Sequence, residues 1–69
     1  MSSDAEAFLD AARDGDTDRL TELLAKGIDP NTMINGETAL KLAVEESHEE
    51  AVGLLLRNGA DPDLEGYDI

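Results

Sequence analysis

One stretch of this chain occurs twice, 32 residues apart, and it limits the fold more than any other feature. From Ala11 the chain reads Ala11-Ala12-Arg13-Asp14-Gly15-Asp16, then Leu20, Leu23-Leu24 and Gly27-Ile28-Asp29-Pro30-Asn31. From Ala43 it reads Ala43-Val44-Glu45-Glu46-Ser47-His48, then Val52, Leu55-Leu56 and Gly59-Ala60-Asp61-Pro62-Asp63. The alanine, the aliphatic positions, the closing glycine and Asp-Pro recur in register. A period of this length is the signature of a supersecondary unit that stacks on its own copy to bury a shared apolar face.

Sixty-nine residues set the scale: one domain, spanning residues 1–69, with a small core. A chain of that size hides only about 60% of its extended surface. No cysteine is present to form a disulfide or a thiolate metal site. No basic segment precedes an apolar one at the start, and no apolar run approaches the roughly 18 residues of a membrane span. The expectation is a cytoplasmic protein that makes no membrane contact. Seventeen acids against five bases give a formal charge of −12. Such a surface repels phosphates, which argues against nucleic-acid binding and favours a basic partner. The same acidity suits a solvated surface or a high-salt cytoplasm.

Helix ends divide the chain further. Ser3-Asp4-Ala5-Glu6 is a capping-box pattern ahead of an apolar stripe of Ala7, Phe8, Ala11 and Ala12. Gly15 breaks that helix, Asp16 caps the next, and Gly27 stops it. Thr38 caps a third helix carrying Leu40, Ala43 and Val44. Ser47-His48-Glu49-Glu50 reads as a second capping box, opening a fourth helix that ends at Asn58-Gly59. The expected helices cover residues 4–14, 17–26, 38–46 and 48–58, with Leu20, Leu24, Leu40, Ala43, Val52, Leu55 and Leu56 buried between them. Gly53 lies inside the fourth and costs about 1 kcal/mol relative to alanine. It either admits a close neighbour or is merely tolerated. Between the helix pairs, Pro30 forbids helix and Asn35-Gly36 is a strong hairpin turn.

At this point the chain resembles the ankyrin repeats. It carries Gly36-Glu37-Thr38-Ala39-Leu40-Lys41-Leu42-Ala43-Val44-Glu45-Glu46-Ser47-His48, then Val52 and Leu54-Leu55-Leu56, then Gly59-Ala60-Asp61. The family pattern is Gly-x-Thr-Pro-Leu-His-x-Ala-Ala-x-x-Gly-His, Val-x-x-Leu-Leu and Gly-Ala-Asp-x-Asn. Ala39 and Lys41 stand in place of proline and histidine, and Ser47 in place of a glycine. The resemblance implies an all-α fold of helix–turn–helix repeats with hairpin-like loops, a short ankyrin-type solenoid. Its first unit covers residues 4–31 and resembles an amino-terminal cap repeat. The second covers 36–63, and residues 64–69 begin an unfinished third repeat or form a terminal lid. About three such units are usually needed for a stable stack, so the second unit's far face calls for cover. That cover is either Leu64, Tyr67 and Ile69 folded over it, or a second copy of the chain in a homodimer.

The chemistry-bearing patterns are weak. Asp14, Asp16 and Asp18 imitate the start of a calcium loop, but Arg19 replaces the required glycine and Ala25 the bidentate glutamate. A helix cap with acids in the first turn explains them better. Asp61, Asp63, Glu65 and Gly66 likewise lack a closing ligand. His48 stands where the family pattern has a histidine, and nothing pairs it with Ser47 or Thr38 as base and nucleophile. The expectation is no enzyme, no metal and no cofactor. The resemblance implies protein–protein interaction through hairpin tips and the exposed face of each unit's first helix. The residues at those places are Arg13, Asp14, Met33, Ile34, Asn35, Glu37, Glu45 and Glu46. Met33 and Ile34 are apolar in a polar loop: a contact patch, or local core beneath the hairpin. Two other roles fit the same residues. One is a minimal or designed repeat scaffold that is structural or self-associating, and the other is an acidic nucleic-acid mimic on a basic protein site.

Overall fold

The computed structural model describes residues 3–63. Two helix pairs flank a short hairpin: α1 (Asp4–Asp14), α2 (Thr17–Ala25), β1 (Met33–Ile34), β2 (Glu37–Thr38), α3 (Ala39–Glu45) and α4 (Glu49–Arg57). The caps are local and side-chain built. Ser3 Oγ accepts from the Glu6 N–H at 3.1 Å, Asp16 Oδ1 from Arg19 at 3.1 Å, and Thr38 Oγ1 from Lys41 at 3.2 Å. Each satisfies an N–H that the first turn cannot pair internally. The helices differ from the sequence expectation only at their ends, where Lys26, Thr38, Glu46, His48 and Asn58 are caps.

The turns repeat at the 32-residue period. In the first unit the Gly15 N–H bonds to Ala12 O and the Asp16 N–H to Ala11 O, with Gly15 left-handed at φ 74°. In the second, Ser47 bonds to Val44 O and His48 to Ala43 O, with Ser47 at φ 61°. This corrects one expectation. Ser47 does not cap α4: reversing the chain after Glu46 requires a left-handed residue there, and Ser47 supplies it. His48 is the N-cap residue of α4 and makes no side-chain cap bond. The hairpin has the tight form its sequence demands. Met33 pairs with Thr38 and Ile34 with Glu37, and both turn residues, Asn35 and Gly36, have positive φ.

The pairs stack α1 on α3 and α2 on α4. Phe8, Leu20 and Leu55 are the largest wholly buried side chains, with Leu9, Leu23, Leu40, Leu42 and the small Ala11, Ala12, Ala39, Ala43 and Ala51 around them. The alanines let α1 and α3 approach closely. Leu24 and Val52 are half-buried against this core. Leu56 is the clear departure from the expected core: it is 44% exposed, because no third helix pair covers its side of α4 among the described residues. The lid expected from Leu64, Tyr67 and Ile69 lies outside the described residues. Gly53 admits no close neighbour, since a Cβ there would meet only Arg57 Nη1, at 3.4 Å. It is tolerated rather than required.

Two side chains tie the units together. His48 Nε2 lies 2.9 Å from Arg13 O, and a carbonyl only accepts, so the proton sits on Nε2. Asn31 uses both ends of its amide: Nδ2 donates to Gly59 O at 3.2 Å, and Oδ1 accepts from the Asp61 N–H at 2.7 Å.

Candidate functional site

A groove of about 300 Å³ runs between α1 and the hairpin. One wall is the face of α1 formed by Glu6, Leu9, Asp10 and Arg13, which are three to four residues apart and therefore line up along the helix. The other is Ile34, Asn35 and Glu37. The buried Leu9 and half-buried Ile34 give it an apolar floor, and the rest of the lining is polar.

Its electrostatics are one-sided. Arg13 Nη1 pairs with Asp10 Oδ1 at 2.9 Å in an i,i+3 bridge. Glu6 and Glu37 have no cation within ion-pair distance among the described residues. Three carboxylates against one neutralised guanidinium leave the walls net negative. Both partners of the Asp10–Arg13 bridge are largely solvated, so the bridge orders the guanidinium and adds little stability.

Of the eight residues expected to bind a partner, four meet here: Arg13, Ile34, Asn35 and Glu37. Asp14 lies round the end of α1, in a shallower recess with Asp16 and Arg19. Met33, Glu45 and Glu46 are exposed but line none of the recesses described here. The hairpin's apolar pair divides its roles, with Ile34 packed on the core and Met33 exposed. Glu6, Leu9 and Asp10 were not anticipated as lining. Their signal was the helical spacing that joins them to Arg13.

The remaining candidates have structural partners. His48 is spent on Arg13 O, Thr38 Oγ1 on the Lys41 N–H, and Asp16 on capping α2. Among the described residues no group of three or more histidines, cysteines or carboxylates is placed to hold a metal ion. No helix among them is long and apolar enough to cross a membrane.

Stacked helix pairs, a two-residue hairpin turn and a groove between hairpin and inner helix define an ankyrin-type solenoid. A family model described as ankyrin repeats, three copies, matches residues 3–66, and the chain belongs to that family. The chain is 42% identical over 59 residues to an ankyrin repeat protein of fowlpox virus (strain NVSL), covering 83% of this chain and 8% of the viral protein. It is 40% identical over 62 residues to the oxysterol-binding protein-related protein 1 of Homo sapiens, covering 86% and 6% of the two chains. It is 47% identical over 49 residues to an L-asparaginase of Dirofilaria immitis, covering 70% and 8%. The chain thus spans less than a tenth of the length of these relatives. Ankyrin repeats are generally protein–protein interaction modules, and the family is typically non-catalytic.

Proposed function

We propose that this chain is a non-catalytic protein-binding module whose groove between α1 and the hairpin takes a basic segment of another protein. The observation that carries the reading is the groove itself: an apolar floor of Leu9 and Ile34 beneath the carboxylates of Glu6, Asp10 and Glu37, its one cation already paired. A lysine or arginine side chain suits it. The aliphatic stem rests on the floor while the charged head reaches the carboxylates. The activities named for the longer relatives are not part of this proposal, because the chain matches only a small part of each.

The test is titration of lysine- and arginine-rich peptides against the wild-type chain and against Glu6→Gln, Glu37→Gln and a control, Glu22→Gln, which alters an exposed acid on α2 outside the groove. Exposed ion pairs are worth about 0.2–1 kcal/mol, so each groove substitution is expected to weaken binding roughly 1.5- to 5-fold, and the control not at all. Binding should weaken further with salt. Equal losses at all three positions would defeat the groove reading and favour a diffuse acidic surface, as in a nucleic-acid mimic.

A further inference from the structure

The chain holds three asparagines and no glutamine, and two of the three precede glycine: Asn35-Gly36 and Asn58-Gly59. A side-chain amide in that position is open to attack by the next backbone nitrogen, because glycine brings no side chain to crowd it. The fold treats the two pairs differently.

Asn58 is restrained at the end of α4. Its Nδ2 donates to Leu54 O at 2.8 Å, and the Gly59 N–H donates to Leu56 O at 3.1 Å. Asn31 uses both ends of its amide, and the Thr32 N–H after it donates to Asp29 O at 3.0 Å. Nothing comparable holds Asn35. It is exposed with Gly36 at the hairpin tip, at φ 53° and 80°. Among the described residues the asparagine side chains that make hydrogen bonds are those of Asn31 and Asn58, and the Gly36 N–H has no backbone partner. A Cβ at Gly36 would meet nothing within 4 Å, so the amide stands open to solvent. The hairpin pairs only Met33 with Thr38 and Ile34 with Glu37, so opening its turn breaks few bonds.

We propose that Asn35 is a self-modification site, at which the Gly36 backbone nitrogen converts the side-chain amide to a carboxylate, while Asn58 in the same dipeptide is kept inert by its hydrogen bonds. The Gly36 nitrogen loses its proton to hydroxide and bonds to Asn35 Cγ. The Cγ–Nδ2 bond breaks, and Nδ2 takes a proton from water and leaves as ammonia. Water then opens the five-membered imide at either carbonyl, giving aspartate or, with the main chain rerouted through Cγ, isoaspartate. Either product adds a carboxylate to the groove wall that Asn35 shares with Ile34 and Glu37. The iso form also adds a main-chain atom to a two-residue turn, which the Ile34–Glu37 pairing cannot absorb in register. The site rests on the chemistry of the turn and stands whether or not a basic segment occupies the groove.

The test follows the mass of the intact folded protein through incubation at neutral pH, where each conversion replaces NH2 by OH, and then maps the change with trypsin. Cleavage after Lys26 and Lys41 puts Asn31 and Asn35 in one peptide, where fragmentation separates them, and cleavage after Arg57 puts Asn58 in another. Asn35 is expected to convert first. Asn58 should lag by roughly tenfold or more, the factor that two hydrogen bonds of ordinary net strength are worth. In guanidinium chloride, where those bonds are gone, the two Asn-Gly pairs should convert at equal rates. Equal rates in the folded protein overturn the proposal. So does an Asn35 that stays amidated as long as Asn58 does, and so does a preference of the same size in guanidinium chloride, which would trace it to neighbouring residues and not to the fold.

Discussion

The two units share one plan and differ in what lies on each side of them. The first is covered on its inner face by the second, and its stacking residues are accordingly small or wholly buried: Ala12 is 0% exposed, and Gly15 leaves room for the His48 ring. The second carries bulk and charge at the same register positions, with Val44, Ser47 and Lys41 in place of Ala12, Gly15 and Leu9. The backbone does not register the change, because the turn hydrogen bonds recur residue for residue. A repeat's internal geometry and its capacity to accept a neighbour are thus separately encoded. The first resides in caps and left-handed turns, the second in the side chains that face outward along the stack.

Adjacent leucines give the sharpest contrast. Leu55→Ala removes a wholly buried side chain and should destabilise by about 2–5 kcal/mol. A domain this small has under about 5 kcal/mol in total, so that variant should be largely unfolded by circular dichroism. Leu56→Ala, next in the chain but on the far face, should melt much closer to wild type. Equal melts for the two would erase the distinction between core and open face.

The turn glycine and its serine counterpart should respond with opposite signs. Gly15→Ala forces a Cβ into a left-handed residue and into the His48 ring, so it should cost at least the roughly 1–2 kcal/mol of the backbone strain. Ser47→Gly relieves the same strain and should raise the melting temperature. A stabilised Gly15→Ala would mean that His48 does not hold the joint.

A smaller effect belongs to the second tie. Asn31→Asp gives the first unit the residue that the second has at position 63, keeping the acceptor for the Asp61 N–H but losing the donor to Gly59 O. About 1 kcal/mol is expected in a denaturant melt, the net worth of one hydrogen bond. No change would show that the amide's donor end adds nothing to the joint.

The smallest expected effect is that of salt. Acids crowd Asp14–Asp18 and Glu45–Glu50, and at −12 the compact state repels itself. Screening within about 10 Å at 0.1 M should raise the melting temperature from low salt to molar chloride. A flat or falling curve would show that caps and helix dipoles already compensate the clusters, as Asp16 does for α2.

Sequence alone determined the helices to within their cap residues, the hairpin turn at Asn35-Gly36, and most of the core from Leu20 to Leu55. Each of these is decided by groups close along the chain: a side-chain oxygen reaching an N–H three residues on, a left-handed residue after a helix, apolar positions on one helical face. Within the candidate site, Arg13, Ile34, Asn35 and Glu37 were legible through the family resemblance. Glu6, Leu9 and Asp10 were not, because belonging to a groove depends on where the hairpin lies against α1. The two misread positions share one cause. Leu56 has the spacing of a core leucine, and Ser47 the pattern of a cap. Tertiary structure alone decided that one faces away from the packed units and that the other must turn the chain, because burial and backbone handedness depend on what stands beside a residue in space.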